Sequence, residues 1–204
     1  MKNKKKFLLY YLTIVFFFNI ALSSEEIEYS SNLVKIIENG KIISGEGDVQ
    51  ILIGENINIS SDNFEYDKET GLYKIFNNVQ LKDTKNNIQA SGPEFILSSL
   101  DNKILAKTRS KIIYNQAYDI DLNNFEYDFN NQKIRSSDFV KIKDNLNNYF
   151  ELYEFLFDVK LNKFLGKEIK FIDNQQNKYL LSDVMINTDN NNLYGKDLNI
   201  DFNK

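Results

Sequence analysis

The sequence predicts an all-β chain: a long antiparallel meander whose strands bend at their middles and fold it into two facing sheets. Three observations lead there. A short aromatic motif returns at positions 64, 95, 125, 155 and 185, in steps of about 30 residues, which is the mark of a repeat architecture. Apolar residues alternate with period two between turns rich in Asn, Asp and Lys, the pattern of half-buried strands. After residue 23, no segment carries apolar residues at i, i+3, i+4 and i+7 over a useful length, so no helix is expected.

The motif is clearest as Phe64-Glu65-Tyr66-Asp67 and returns letter for letter at Phe125-Glu126-Tyr127-Asp128. Phe155-Leu156-Phe157-Asp158 is a third copy without the glutamate, and Phe95-Ile96-Leu97-Ser98 and Met185-Ile186-Asn187 are worn ones. Successive side chains of a strand take opposite faces. The two aromatics therefore share one face and the acid takes the other. The plain interpretation of each aromatic pair is core; the functional one depends on what the repeated apolar face encloses.

Taken in order, the first 23 residues are a separate object. Lys2, Lys4, Lys5 and Lys6 form a basic head, Phe7 to Phe18 is an apolar run broken by Thr13, and Ala21-Leu22-Ser23 offers a small-x-small cleavage site. This is the pattern of a secretory signal peptide. The run is short of the ~20 apolar residues a membrane span needs, and the mature domain is expected to cover residues 24–204. Losing those lysines takes the net charge from -4 to -8, and an acidic exported chain repels nucleic acid.

The chain has neither Cys nor His. Disulfides, Ser-His-Asp and Cys-His catalysis, and His- or Cys-ligated zinc and copper are thereby excluded. The acid pairs Glu65 with Glu126 and Asp67 with Asp128 are the candidates for carboxylate catalysis. Acids recurring at the repeat period fit the solvent face of successive strands better, so no enzymatic activity is expected. The Asp/Asn turns lack the ligand spacing of calcium loops; no metal or cofactor is expected.

From Glu25 onward, strand follows strand. Val49-Gln50-Ile51-Leu52-Ile53 and Ile57-Asn58-Ile59 alternate either side of Gly54-Glu55-Asn56, a hairpin signal. Turns are expected at residues 67–71, 83–87, 101–103, 115–116, 130–132, 144–148, 160–163, 173–177 and 189–192. The segments between them are long for strands, and nearly all contain a polar or Gly-bearing break. Examples are Ser44-Gly45-Glu46-Gly47, Ser60-Ser61-Asp62-Asn63, Asn77-Asn78, Ser91-Gly92-Pro93, Asn123-Asn124, Ser136-Ser137-Asp138, Gly166-Lys167-Glu168 and Gly195-Lys196-Asp197. Gly and Pro within a strand mark bends and bulges, and aligned bends fold one meander into two sheets. Such a meander leaves free edges, expected around Ile42–Ile53 and around Leu193–Phe202.

The order Gly47-Asp48-Val49, apolar strand, polar break, Phe64-Glu65-Tyr66-Asp67 and the turn Lys68-Glu69-Thr70-Gly71 resembles the OstA-like domain family. Asn77-Asn78-Val79-Gln80-Leu81 is similar to the family's second Gly-Asn-Val unit, with Asn77 in place of Gly. The likeness is best over about residues 27–90 and continues as an echo to the C-terminus. This family occurs in the lipopolysaccharide-transport proteins LptA and LptC and at the N-terminus of the outer-membrane assembly protein LptD. Within it, the cleavable signal argues against LptC, and the many bent strands bring the chain nearest to the periplasmic N-terminal domain of LptD. In that case a barrel lies beyond Lys204, and the barrel and LptE are further partners. An LptA-like bridge protein and a structural β-repeat protein without lipid are the alternatives.

The resemblance implies an open, V-shaped β-jelly roll in the periplasm, associated with the outer membrane if the chain belongs to LptD. It implies that the slot between the sheets shields the acyl chains of lipid A and that edge strands join to LptA or a like module, delivering lipopolysaccharide to the outer membrane. The residues matching the slot lining are Val49, Ile51, Ile57, Ile59, Phe64, Tyr66, Val79, Leu81, Phe95, Leu97, Ile120, Phe125, Tyr127, Phe155 and Phe157. The partner edge would comprise Ile42, Ile43, Val49, Gln50, Ile51, Leu52 and Ile53.

Overall fold

The computed structural model describes residues 26–190 and 192–201. The expected signal peptide, the mature start at Ser24 and Phe202 of the expected C-terminal edge lie outside the described residues. Among the described residues all regular elements are strands except one 3-10 turn, Glu38–Gly40. They are β1 (Ile27–Ser30), β2 (Leu33–Ile37), β3 (Ile42–Ile53), β4 (Ile57–Asp67), β5 (Leu72–Asp83), β6 (Ile88–Ser98), β7 (Lys103–Ala106), β8 (Ser110–Tyr114), β9 (Tyr118–Leu122) and β10 (Phe125–Asp128). There follow β11 (Lys133–Ser136), β12 (Val140–Asp144), β13 (Tyr149–Asp158), β14 (Lys163–Ile172), β15 (Lys178–Asn187), β16 (Asn192–Gly195) and β17 (Asn199–Asp201). Every pairing between them is antiparallel, and the expected turns fall between strands.

The polar breaks do what their composition implies. Register slips between Glu46 and Val49, between Ser60 and Asn63, and between Phe76 and Val79. Elsewhere the break interrupts the strand outright, separating β7 from β8, β9 from β10 and β11 from β12. Gly47, Asp48, Asn77, Asn78, Asn124, Glu168 and Asp197 sit there at positive φ, a conformation that Asn, Asp and Gly tolerate best. Facing side chains lock the bends: Asn32 Nδ2 donates to Asp48 Oδ2 at 2.7 Å, Asn78 Nδ2 to Asp62 Oδ2 at 2.6 Å, and Asn124 bonds Asp138. Gly45 answers a different need. A Cβ there would come within 2.2 Å of the Phe64 ring, its cross-strand partner.

Each bend divides its strand between two layers, giving an open, two-layer β-jelly roll. One layer holds β2, the first half of β3, the second half of β4 and so on to β16; the other holds β1, the second half of β3, the first half of β4 and so on to β17. Cross-strand pairing draws one continuous apolar row across the first layer: Ile36, Ile43, Tyr66, Tyr73, Leu97, Ile104, Tyr127, Ile134, Phe157, Phe164, Ile186 and Leu193. Another runs across the second: Tyr29, Ile51, Ile59, Leu81, Ala90, Ile112, Ile120, Ile142, Phe150, Phe171, Tyr179 and Ile200. The rows face each other, and their contact is the core. Charged residues occupy the outer faces in pairs such as Lys74–Glu94 and Lys111–Asp119.

The layers are not superposed strand on strand. Tyr29 packs on Tyr73, and Tyr118 packs edge-on against Phe164. Tyr114 likewise meets Phe157 edge-on. Numbering the strands of each layer from the N-terminal edge, every one of these contacts joins a second-layer strand to one three places further along the first layer. The twist of stacked sheets produces such an offset.

Candidate functional site

The repeated aromatics and the branched residues between them converge on this interior. Val49, Ile51, Ile59, Phe64, Val79, Phe95, Leu97, Ile120 and Phe157 are wholly buried; Ile57, Leu81, Phe125, Tyr127 and Phe155 are nearly so. Tyr66 is half-buried and stacks on Tyr73 with ring centroids 4.1 Å apart. All fifteen residues expected to line a slot thus share one enclosure, and its faces are in contact. The acids between the aromatics point outward, with Glu65 exposed and Glu126 paired to Lys103 at 3.1 Å. Asp67 and Asp128 each cap their own turn, accepting from the backbone N–H of Glu69 and of Asn131, both at 2.8 Å.

The expected partner edge at Ile42–Ile53 needs correction. β3 has β4 along one side, while β2 and β1 cover the other side of its two halves. Ile42, Ile43, Val49, Gln50, Ile51, Leu52 and Ile53 are therefore inner-strand residues. The free N-terminal edge belongs to β1 and β2, formed by a stretch that the alternating pattern did not single out. Its signal was the apolar run Leu33-Val34-Lys35-Ile36-Ile37, whose five residues are all exposed, Ile36 at 66%. At the other end, among the described residues, β16 and β17 each pair only with β15, an edge where one was expected.

Because of the offset, neither end fully covers its own inner face. At the N-terminal end the first-layer row runs from half-buried Tyr66 and buried Ile43 out to exposed Ile36. At the C-terminal end the second-layer row runs from buried Phe150 out through Phe171, Tyr179 and Ile200. Phe150 and Phe171 stack at 4.8 Å and 17°, Phe171 and Tyr179 at 5.2 Å and 28°. Phe171 and Tyr179 are only partly buried and Ile200 is 39% exposed.

Opposite the line of bends, where the turns of the two layers meet, the layers are tied by polar groups. Tyr127 Oη donates to the buried carboxylate of Asp83, and Asn86 Nδ2 donates to both, at 2.7 Å to Asp83 Oδ2 and 3.2 Å to Tyr127 Oη. Further along, Tyr114 Oη donates to Asn162 Oδ1 at 2.6 Å. Burial raises the phenol pKa of Tyr73 and Tyr114, and burial, with the Asp144 carboxylate nearby, pushes Tyr118 up to about 12. Sequence reasoning placed Tyr127 inside but gave no sign of Asp83 or Tyr114, since the contacts span about 45 residues.

No family model matches the chain, and no curated protein does. Among solved structures, LptH from Pseudomonas aeruginosa, the LptA-homologous periplasmic component of the conserved lipopolysaccharide transport device, is similar over 88% of this chain and 96% of its own, at 8% identity and a TM-score of 0.26. The TCP10 domain of Danio rerio CPAP, in complex with a STIL peptide, is similar over 78% of this chain and 98% of its own, at 12% identity and a TM-score of 0.15. At these TM-scores neither likeness bears on function.

Proposed function

We propose that this protein is a non-enzymatic module of a periplasmic lipopolysaccharide-transport bridge. It holds lipid A acyl chains between its apolar rows and passes them along a chain of end-joined modules toward the outer membrane. The finer assignment we favour is the N-terminal domain of LptD. The observation that carries the reading is the pair of uncovered ends. Each lies beside a free strand edge, and a sandwich built to stand alone would bury those aromatics and blunt those edges.

The two ends are complementary. The first-layer overhang of one module, Ile36 and the half-buried Tyr66, can lie over the second-layer overhang of the next, Phe171, Tyr179 and Ile200. Strand pairing between β2 or β1 and β16 or β17 would then continue both sheets across the joint. The partner is LptA, a like β-jelly roll or a second copy.

A second reading, a structural β-repeat module without lipid, draws on the close packing of the interior. One experiment separates them. Photo-crosslinkers at Phe64, Phe95, Phe125 and Phe155 are expected to capture lipopolysaccharide in cells, while those at Glu65 and Glu126 are not. Equal capture at both sets, or none at either, removes the carrier.

A further inference from the structure

We infer that the turn side of the sandwich is a gate for apolar chains, held shut by two tyrosine latches, Tyr127 on Asp83 with Asn86, and Tyr114 on Asn162. The inference rests on the carrier reading and adds where the interior opens.

Three boundaries enclose the apolar rows, and they are not equivalent. Along the bends the chain passes directly from one layer into the other, as a bulged strand or across a break of two or three residues, so the layers are covalently joined there. At the two ends lie the edges and overhangs assigned to partner modules. On the turn side the layers meet, among the described residues, through side chains alone, so that boundary can part with every strand ladder intact.

The chemistry of the contacts supports the same choice. A mouth sealed by apolar side chains resists opening, because it exposes that surface to water. On the turn side phenol, amide and carboxylate groups stand beside the buried turn residues Phe129 and Val159, and the polar part of that seal exchanges its hydrogen bonds for bonds to water at small net cost. Asp83 is 2% exposed at the rim, where its register neighbours are Ile57 and Ile88 and the same row continues through Tyr114 and Tyr118 to a second buried carboxylate, Asp144. A carboxylate held there by Tyr127 and Asn86 closes the rim without gluing it. The latches also hold the register of the layers: Asp83 in β5 meets Tyr127 in β10, and Tyr114 in β8 meets the turn after β13. Two such points along the rim fix the closed spacing, and releasing either frees the turns on its side.

The test follows uptake of cis-parinaric acid, a fluorescent fatty acid, by the purified full chain. Tyr127→Phe and Tyr114→Phe keep the rings and delete the latch bonds; Tyr114→Phe is expected to speed uptake by about fivefold, the factor corresponding to one lost hydrogen bond, and Tyr127→Phe, which loses two, by more. The chain has no cysteine of its own, so an Asp83→Cys, Tyr127→Cys pair can be bridged uniquely with a bis-methanethiosulfonate reagent. The bridged protein should exclude the probe and reduction should restore uptake, with circular dichroism and a thermal melt confirming the fold in each state. Equal uptake by bridged and reduced protein, or unaltered rates in folded Phe variants, overturns the gate and leaves the carrier reading standing. Absence of uptake in every form, Phe variants and reduced pair included, overturns the carrier reading and the gate with it.

Discussion

Two phenylalanines that look alike in sequence occupy opposite situations, and truncating each tests the layer offset. Phe164 is 1% exposed, with the Phe157 ring centroid at 4.6 Å, Tyr118 at 5.1 Å and Phe155 at 5.7 Å. Phe→Ala in such a core costs about 3–5 kcal/mol, counting the cavity left behind. Phe171 stacks on Phe150 and Tyr179 within its own layer and is only partly buried. Phe171→Ala leaves no closed cavity; it forfeits part of a side-chain burial and part of two ring contacts, about 1–2 kcal/mol in all. For a domain of this size each kcal/mol moves the melting temperature by about 2–4 °C. Dilute thermal melts should therefore show Phe164→Ala lower by ~6–20 °C and Phe171→Ala by ~2–8 °C. At higher concentration the ranking carries further information. If modules join through the overhangs, the wild-type Tm rises with concentration, and Phe171→Ala and Ile36→Lys both flatten that rise. Equal losses for the two alanine variants in dilute solution would mean that Phe171 is covered within one chain and that the layers are not offset at this end.

Other outcomes follow from single residues. Leu52→Pro removes an N–H from a strand paired on both sides, so it should lower the Tm by more than an ordinary surface change, about 1 kcal/mol or above; a melt unchanged from wild type would return β3 to the edge. Gly45→Ala forces a methyl group onto the Phe64 ring, an overpacking that costs about 1–3 kcal/mol, and the companion change Phe64→Leu should recover part of it in a double-variant melt. Tyr118, with its pKa pushed up to about 12 by burial and the nearby Asp144, contributes stability in full below its unfolded value of about 10 and loses it as pH climbs toward 12. The Tm should fall over that interval and fall less in Tyr118→Phe. Burial tends to raise the Asp128 pKa, but bonds from Asn131 and the charges of Lys103 and Arg135 outweigh it and leave it lowered. Its contribution is present above about pH 3.9 and disappears on acidification through the folded value, so melts taken down the acid limb should decline more gently in Asp128→Asn.

The interior was legible in the sequence because two codes coincide there. Alternation chose the face for Phe64, Tyr66, Phe125 and Tyr127, and the 30-residue step aligned one copy with the next. The breaks were legible too, since Gly47, Asn77 and Asn124 are among the residues that accept positive φ. The N-terminal edge was not. β2 is a short apolar run, and local sequence cannot distinguish a strand that ends a sheet from one that lies within it. β1 and β2 each cover half of β3, because the bend before Val49 turns the two halves into different layers. The latches were out of reach for a related reason. Asp83 opens a turn like Asp128, Asp144 and Asp173, each bonding an Asn three or four residues on. What sets it apart is Tyr127 on the opposite layer, and that meeting is decided by the offset between layers, which no local pattern encodes.

That offset is also why the length of the chain does not resolve its ends. It is the same three places at Tyr29 on Tyr73 near the N-terminus, at Asp83 on Tyr127 in the middle, and at Tyr118 on Phe164 beyond. A displacement that stays near three places along the sandwich, two at Tyr29 on Phe64 and four at Tyr114 on Phe164, comes from the twist of the layers, not from how either end is finished. Adding a 30-residue repeat would lengthen the stretch where the rows face each other and move the overhangs apart, leaving each as wide as before. A single chain of this construction therefore leaves an apolar strip and a strand edge uncovered at each end at any repeat number. Only another chain, or an added capping element, removes them. Neither overhang carries such a cap among the described residues. Ile36 and Ile200, outermost in their rows, stand exposed, where a blunted edge would place a charge or a proline.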